Sequence, residues 1–457
     1  MPGPDAGPGP LRARTPTPVR PARSRFPRLP VPAAPFGKRA PSRNAPPHPL
    51  AASPVVPNHP YTPSQRRQAV TEDHPNQPTA GQDGPRTGVW LVGARGSVAT
   101  TAIAGCAAVA SGMHPPTGMI TETGAFAGCG LPPLGGLVFG GHDTASCPLP
   151  KRAEQLVVGG VLPHGLPAAV HAELAAADSC IRPGGPLPGD LREGEGPRSD
   201  EDLTDAFAAD LAAFTRDNGL DRTVVVNVAS TEGAPDDGDT ELPPSSRYAA
   251  AALRAGCPYL NFTPSTGLHH PRLREAALRS GLPHAGRDGK TGQTLLRSVL
   301  APMFAQRALS VRAWSGTNLL GGGDGAALAD PGAAAAKNAG KERVLADSLG
   351  RMPEGRLHID DVPALGDWKT AWDHVAFDGF LGSRMILQTV WQGCDSALAA
   401  PLVLDLVRIV ARVHECGGRG PVDGLGFYFK DPDSGPGDLP GQWRELTALA
   451  GRLRAAA

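Results

Sequence analysis

The chain has 457 residues, enough for two domains or one large α/β domain carrying an insertion. Its 44 basic and 44 acidic residues cancel, so net charge offers no argument for nucleic acid or an anionic membrane as partner. The cysteines (106, 129, 147, 180, 257, 394 and 416) are odd in number, scattered and without a C-x-x-C pair. That pattern points away from a disulfide framework or a structural metal and towards a reducing, cytoplasmic setting, and no apolar run reaches the roughly 18 residues that cross a bilayer.

Residues 1–86 are dense in proline and hold nine Lys or Arg against the single acid Asp5 in their first 43 positions. Such a segment buries too little apolar surface to offset its ordering entropy and is expected to be a disordered tail. Folded sequence begins at Gly88. Val89–Val92 predicts a strand, followed by the glycine-rich turn Gly93-Ala94-Arg95-Gly96-Ser97-Val98-Ala99 and a small-residue helix over Ala102–Ala110. A strand, a G-x-x-G-x-x-A turn and a helix together suit the diphosphate of a dinucleotide, because the glycines allow close backbone approach at a helix N-terminus. The acidic residue expected about 20 positions later at a second strand end has only Glu122 as a candidate, and Glu122 is poorly placed for it.

Further strands are predicted at Leu137–Phe139, leading into Gly140-Gly141-His142-Asp143, at Thr223–Val228, at Tyr259–Thr263 and at Arg384–Val390. Helices are predicted over Leu203–Phe214, Tyr248–Ala255, Pro271–Ser280 and Leu402–Val413, and over the last 15 residues; 182–200 reads as a loop and Gly424–Lys430 as a strand. Strands alternating with helices predict a doubly wound α/β sheet with ligand groups at the strand C-termini. Asp143, Ser230, Thr231, Glu232, Thr263 and Ser265 occupy such ends, where helix caps and turn residues are also common.

Lysine supplies a second signal. Only seven of the 44 basic residues are Lys, at positions 38, 151, 290, 337, 341, 369 and 430. A chain that otherwise uses Arg has reason to keep Lys where chemistry needs a compact amine able to exchange a proton, which guanidinium cannot do. Lys290, Lys337 and Lys341 fall within Arg287–Lys341, and Lys369 and Lys430 follow. By spacing alone Lys337 and Lys341 are also an ordinary i, i+4 helix-surface pair.

The ordered motifs resemble the inositol-3-phosphate synthase (myo-inositol-1-phosphate synthase) family over about residues 88–435. Gly286–Thr294 (G-R-D-G-K-T-G-Q-T) is similar to the family's G-D-D-x-K-S-G-Q-T, Asn318–Gly325 to N-H-L-G-N-N-D-G, and Lys337 with Lys341 to K-E-I-S-K. Leu365–Lys369 is similar to V-G-D-S-K, Cys394–Pro401 to E-D-S-L-L-A-x-P, and Phe427–Lys430 to a late aromatic strand ending in Lys. Ala229–Glu232 and Asn261–Pro264 resemble A-N-T-E and N-G-S-P. Five of the seven lysines match family lysines in order. Gly322 and Gly323 replace the paired Asn of the family, Ala335 replaces an Arg, and the first glycine loop differs, so a paralogue closing another ring and an inactive NAD-binding relative are the alternative readings.

The resemblance implies a Rossmann-type NAD-binding domain (87–294, resumed at 398–457) interrupted by an α+β catalytic and oligomerisation domain (295–397), and a homotetramer. It implies cyclisation of glucose 6-phosphate to inositol 3-phosphate for inositol and phospholipid biosynthesis. The route is oxidation at C5, enolisation at C6, aldol closure on C1 and reduction at C5, with NAD regenerated. Lys337 and Lys430 then serve the C5 steps, and Lys341 and Lys369 serve the aldol carbonyl and the phosphate, with Asp288 and Asp395 orienting lysines. NAD would be held by Gly93, Gly96, Ser97, Val98, Asp143, Ser230, Thr231 and Asp324, and the sugar phosphate by Asn318, Thr291 and Ser396. Lys290 is assigned a structural place or one near the phosphate, and no metal site is expected.

Overall fold

The apolar run predicted as the first strand is β1 (Thr87–Val92), buried along its whole length. The fold around it comes from a computed structural model that describes residues 85–185, 199–233, 241–321 and 344–457, all within one compact unit. Of the expected tail only Pro85 and Arg86 are described, and Arg86 already anchors to Asp221 and to the Asn218 carbonyl. The glycine turn leads into α1 (Ser97–Ala110), which starts five residues earlier than its small-residue pattern suggested.

Then come β2 (Leu137–Asp143), α2 (Leu149–Val158), the short α3 (Leu166–Ala169), α4 (His171–Ser179) and β3 (Ile181–Pro183). β3 overlaps the first two residues of the stretch read as loop; residues 186–198 of that stretch are outside the described residues. The chain continues through α5 (Asp200–Asp217), β4 (Arg222–Asn227), α6 (Pro244–Arg254), β5 (Tyr259–Asn261), α7 (Pro271–Ser280) and β6 (His284–Gly286). The start of α5 follows from its cap. The Ser199 side chain accepts from the Asp202 N–H while Asp202 reaches back to the Ser199 N–H, so two orphan amides are satisfied together.

These six strands form one parallel sheet in the order β3-β2-β1-β4-β5-β6, the doubly wound order whose ligand crevice opens beyond the C-termini of β1 and β4. The central strands β1 and β4 carry unbroken apolar stretches, Val89–Val92 and Val224–Val226, because both faces are covered. One face packs α1, α2, α4 and two later helices, α9 (Asp395–Glu415) and α10 (Leu439–Ala455). The other packs α5, α6 and α7. Between α1 and β2 residues 111–136 form an irregular insertion of short 3-10 turns, which explains the misplaced acid. Glu122 sits in that insertion paired with Arg408, and the acid ending the second strand is Asp143.

A second sheet follows helix α8 (Gly292–Gln306). It contains β7 (Ser310–Leu320), β8 (Leu357–Asp361), β9 (Trp368–Asp378) and β10 (Arg384–Cys394) in the order β10-β9-β7-β8, antiparallel except for β7 with β8. Ala301 and Phe304 of α8 pack on its inner face against Val311, Trp314 and Val375. β9 sends Lys369, Ala371, Asp373 and Val375 to that face and Trp372 to the opposite one, as strand alternation requires.

One expected element is absent in the form predicted. Gly424–Lys430 is a 3-10 turn over Leu425–Tyr428, entered through Gly424 at φ +98, and only Phe429 bridges to Gly289. The left-handed glycine and the short facing segment Arg287–Lys290 leave no room for a ladder. Lys430 is nonetheless fixed, because its N–H donates to the Asp288 carbonyl (2.7 Å) and Asp431 and Arg287 exchange backbone bonds beside it.

Candidate functional site

The crevice at the β1/β4 ends is a cavity of about 800 Å³. Gly93, Gly96, Ser97 and Val98 of the glycine turn line it, with Asp143 and Ser230 from the strand ends. At φ +86, Gly93 brings the turn so close to β4's extension that a Cβ there would lie 2.7 Å from the Ala229 Cα. The N-terminus of α1 has no side-chain cap and no acid in its first turn. Its first amides and positive dipole end therefore face the cavity ready for an anion, which is the fit a dinucleotide diphosphate requires. Asp143 is held rigidly at the end of β2, accepting from the Arg95 N–H (2.6 Å) and the Ala145 N–H (2.7 Å).

Beside Asp143 the wall is aromatic, with Phe207 and Tyr248 stacked at 4.4 Å and 16°. Behind them the Trp90 indole donates to His142 Nδ1 (3.0 Å), leaving Nε2 to donate to Asp210 (3.0 Å). Burial lowers the His142 pKa, so the ring is a neutral spacer. This cluster was not anticipated; it comes from two helices and two strands distant in sequence.

The cavity runs on to a smaller one of about 110 Å³, and Lys369, Asp395, Leu320 and Val98 belong to both walls. Thr231, Asp288, Thr291 and Lys430 line the smaller cavity, and Ser396 the larger. Here the two sheets supply ion pairs. Lys430 Nζ donates to Asp288 (2.7 Å), both groups being more than nine-tenths buried. Asp288 is placed by a relay along the strand ends. Asn227 donates to Asn261 (3.2 Å) and Thr263 (3.1 Å), and the Thr263 carbonyl accepts from the Asp288 N–H (3.0 Å). Lys369, at the start of β9, pairs with Asp395 in the first turn of α9, and the Thr291 hydroxyl donates to the same carboxylate (3.1 Å).

Other assignments meet a different outcome. Lys337, Lys341, Gly322, Gly323 and Asp324 lie outside the described residues. Asn318 is buried and lines neither cavity; its amide donates to the Gln293 side-chain oxygen (2.6 Å), and Gln293 reaches the smaller cavity. Gln293 in turn donates to Asp373 (2.8 Å), which also accepts from Arg297 (2.7 Å) and the Trp314 indole (2.7 Å). Arg152 and Asp367 also reach the larger cavity without having been anticipated; among 37 arginines no single one stands out in the sequence.

Lys290 is the lysine with a depressed pKa, to about 7, because burial penalises its charge. It lies behind the site, donating to the Gly426 carbonyl (3.2 Å) and to Gln442. The unfolded chain therefore binds more protons here than the folded one between about pH 7 and the ordinary lysine value of 10.5. Its contribution to stability is full above that window and is lost as pH falls through it. Denaturant unfolding of the protein and of Lys290→Met should show the parent gaining on the variant as pH rises from 7 to 9.5; parallel curves would refute this.

A parallel sheet of this order, an anion-ready helix end and a lysine–carboxylate cluster at the crevice define a Rossmann-type, NAD-binding enzyme with a second, site-completing sheet. A family profile described as Myo-inositol-1-phosphate synthase matches residues 87–442. Inositol-3-phosphate synthase 1 of Bacteroides thetaiotaomicron is 30% identical, with 79% of this chain and 93% of that protein covered. The human inositol-3-phosphate synthase 1 is 28% identical over 70% of this chain and 64% of its own length. Among solved structures, an inositol-3-phosphate synthase of Caenorhabditis elegans superposes with a TM-score of 0.69 at 21% identity, covering 81% of this chain and 86% of that one. A myo-inositol-1-phosphate synthase-related protein of Thermotoga maritima gives 0.64 at 23%, covering 80% and 98%. The chain belongs to the myo-inositol-1-phosphate synthase family, and its cofactor is NAD.

Proposed function

We propose that the protein cyclises glucose 6-phosphate to inositol 3-phosphate. The observation that carries this is the continuity of the cofactor cavity with a small polar cavity whose wall holds Lys369–Asp395 and Lys430–Asp288. When bound, NAD supplies reversible oxidation at C5. Lys430 holds and returns the C5 hydroxyl proton, with Asp288 keeping its amine aimed into the cavity. Lys369 sets a positive charge against the oxyanion that develops at enolisation and ring closure, in a site where preorganised charge is worth more than in water. Ser396 and the first amides of α9 offer donors to the substrate phosphate, and Thr291 joins them by turning its hydroxyl from Asp395. Lys337 and Lys341 complete the set as C5 and aldol lysines.

The limits proposed for the interrupting domain, 295–397, are supported by the second sheet's position in the chain between α8 and α9. A homotetramer is supported by the outer face of that sheet, where Trp372, Ile386 and Val390 are exposed on neighbouring strands. Among the described residues no helix is long and apolar enough to cross a membrane, and we place the protein in the cytoplasm, supplying inositol for phospholipids.

Purified protein given glucose 6-phosphate and substoichiometric NAD should form inositol phosphate in excess of the NAD supplied, identified by NMR. Net NADH would mean a dehydrogenase, and a different cyclitol would mean a paralogue with another specificity.

A further inference from the structure

Four Arg and Lys side chains line the larger cavity: Arg95, Arg152, Arg247 and Lys369. Three are neutralised by carboxylates, Arg95 by Asp178, Arg247 by Asp200 and Glu241, and Lys369 by Asp395. Arg152 differs. Its guanidinium donates to the Gln155 amide oxygen (3.0 Å) and to the Ser97 hydroxyl (2.7 Å), and it pairs with no carboxylate among the described residues. Ser97 is the first residue of α1, so this charge is held against the open helix end. The Ser97 hydroxyl donates onward to Asp367 (2.6 Å), in the turn two residues before Lys369. A diphosphate arriving here meets the Asp367 carboxylate as a like charge, which a helix dipole of about half a unit does not offset.

We propose that Arg152 is a cofactor-binding residue whose guanidinium takes the NAD diphosphate and balances it against Asp367. The proposal rests on the larger cavity being the cofactor site. Arginine suits the task, since its planar fork can keep one donor on Ser97 while others reach phosphate oxygens. Gly93→Ala tests the cavity, Arg152→Gln tests the residue, and NAD binding to the full chain is read by titration calorimetry. We expect Arg152→Gln to weaken NAD on the order of tenfold to a hundredfold, as loss of a charged hydrogen bond implies. Asp367→Asn should tighten NAD severalfold by removing the like charge, and adding Arg152→Gln to it should reverse that gain, which a merely structural arginine would not do. If Gly93→Ala weakens NAD and Arg152→Gln does not, the proposal is overturned and the cofactor site stands. If neither variant changes NAD binding, the site reading falls and the proposal with it. Should Arg152→Gln fail to fold, Arg152→Lys decides, since it keeps the charge and loses the fork: NAD binding equal to the parent's overturns the proposal.

Discussion

Lys430→Met should lower inositol phosphate formation by at least about a thousandfold, within the range for removing a positioned acid–base group together with its charge. The variant will also lose stability, because Asp288 is left ionised, buried and unpaired, at a cost of about 3–5 kcal/mol. The two effects separate in the double variant Lys430→Met/Asp288→Asn. Asparagine is neutral and tolerates the left-handed backbone that Asp288 adopts at φ +62, so the fold should recover while activity does not. NAD should bind the double variant normally, since neither residue lines the larger cavity. Activity restored along with stability would make the pair a structural tie and remove Lys430 from the mechanism.

Asp373→Ala should be the most destabilising single change in the second sheet, by about 3–5 kcal/mol in denaturant unfolding, because it strands a buried guanidinium. Arg297 is about 2% exposed, and Asp373 is its only carboxylate among the described residues. The Trp314 indole and the Gln293 amide lose their acceptor in the same step. Arg297→Leu combined with Asp373→Leu should recover much of the loss, since a buried pair is costly to break and cheap to replace with packing. Activity should stay low in that double variant because Gln293 is no longer held toward the smaller cavity. A cost below about 1 kcal/mol for Asp373→Ala would mean that water reaches the guanidinium, against the burial seen here.

How much of this was legible in the sequence depended on what each side chain is used for. The parallel sheet was readable because Val89–Val92 and Val224–Val226 are buried on both faces and so are apolar throughout. The second sheet was mostly not. β9 reads W-K-T-A-W-D-H-V-A-F-D, with a lysine and an aspartate on its inner face and a tryptophan on its outer one, which erases the apolar alternation. Those inward polar groups belong to the site and to the Arg297 network. The lysines stood out because arginine takes nearly every other basic position, and the same bias hid Arg152. Lys430 was expected at a strand end, and a backbone tie to Asp288 holds it beside a 3-10 turn in place of that strand. Asn318 was singled out as a ligand; its hydrogen bond to Gln293 depends on a buried neighbour and leaves no mark in its own motif.

The register of the second sheet has a consequence for how this chain can change length. Lys369 lies opposite Gly393 on β10 and Leu320 on β7, and its neighbours in the strand face the other way. Adding or removing one residue within β9 would swing the amine to the side occupied by Trp372, away from Asp395 and the smaller cavity. The tip between β9 and β10, residues 379–383, is under no such constraint, because both strands are already paired on either side of it. Insertions, tags and grafted loops belong at that tip, and the ladder behind it acts as a ruler that evolution and engineering alike must leave uncut.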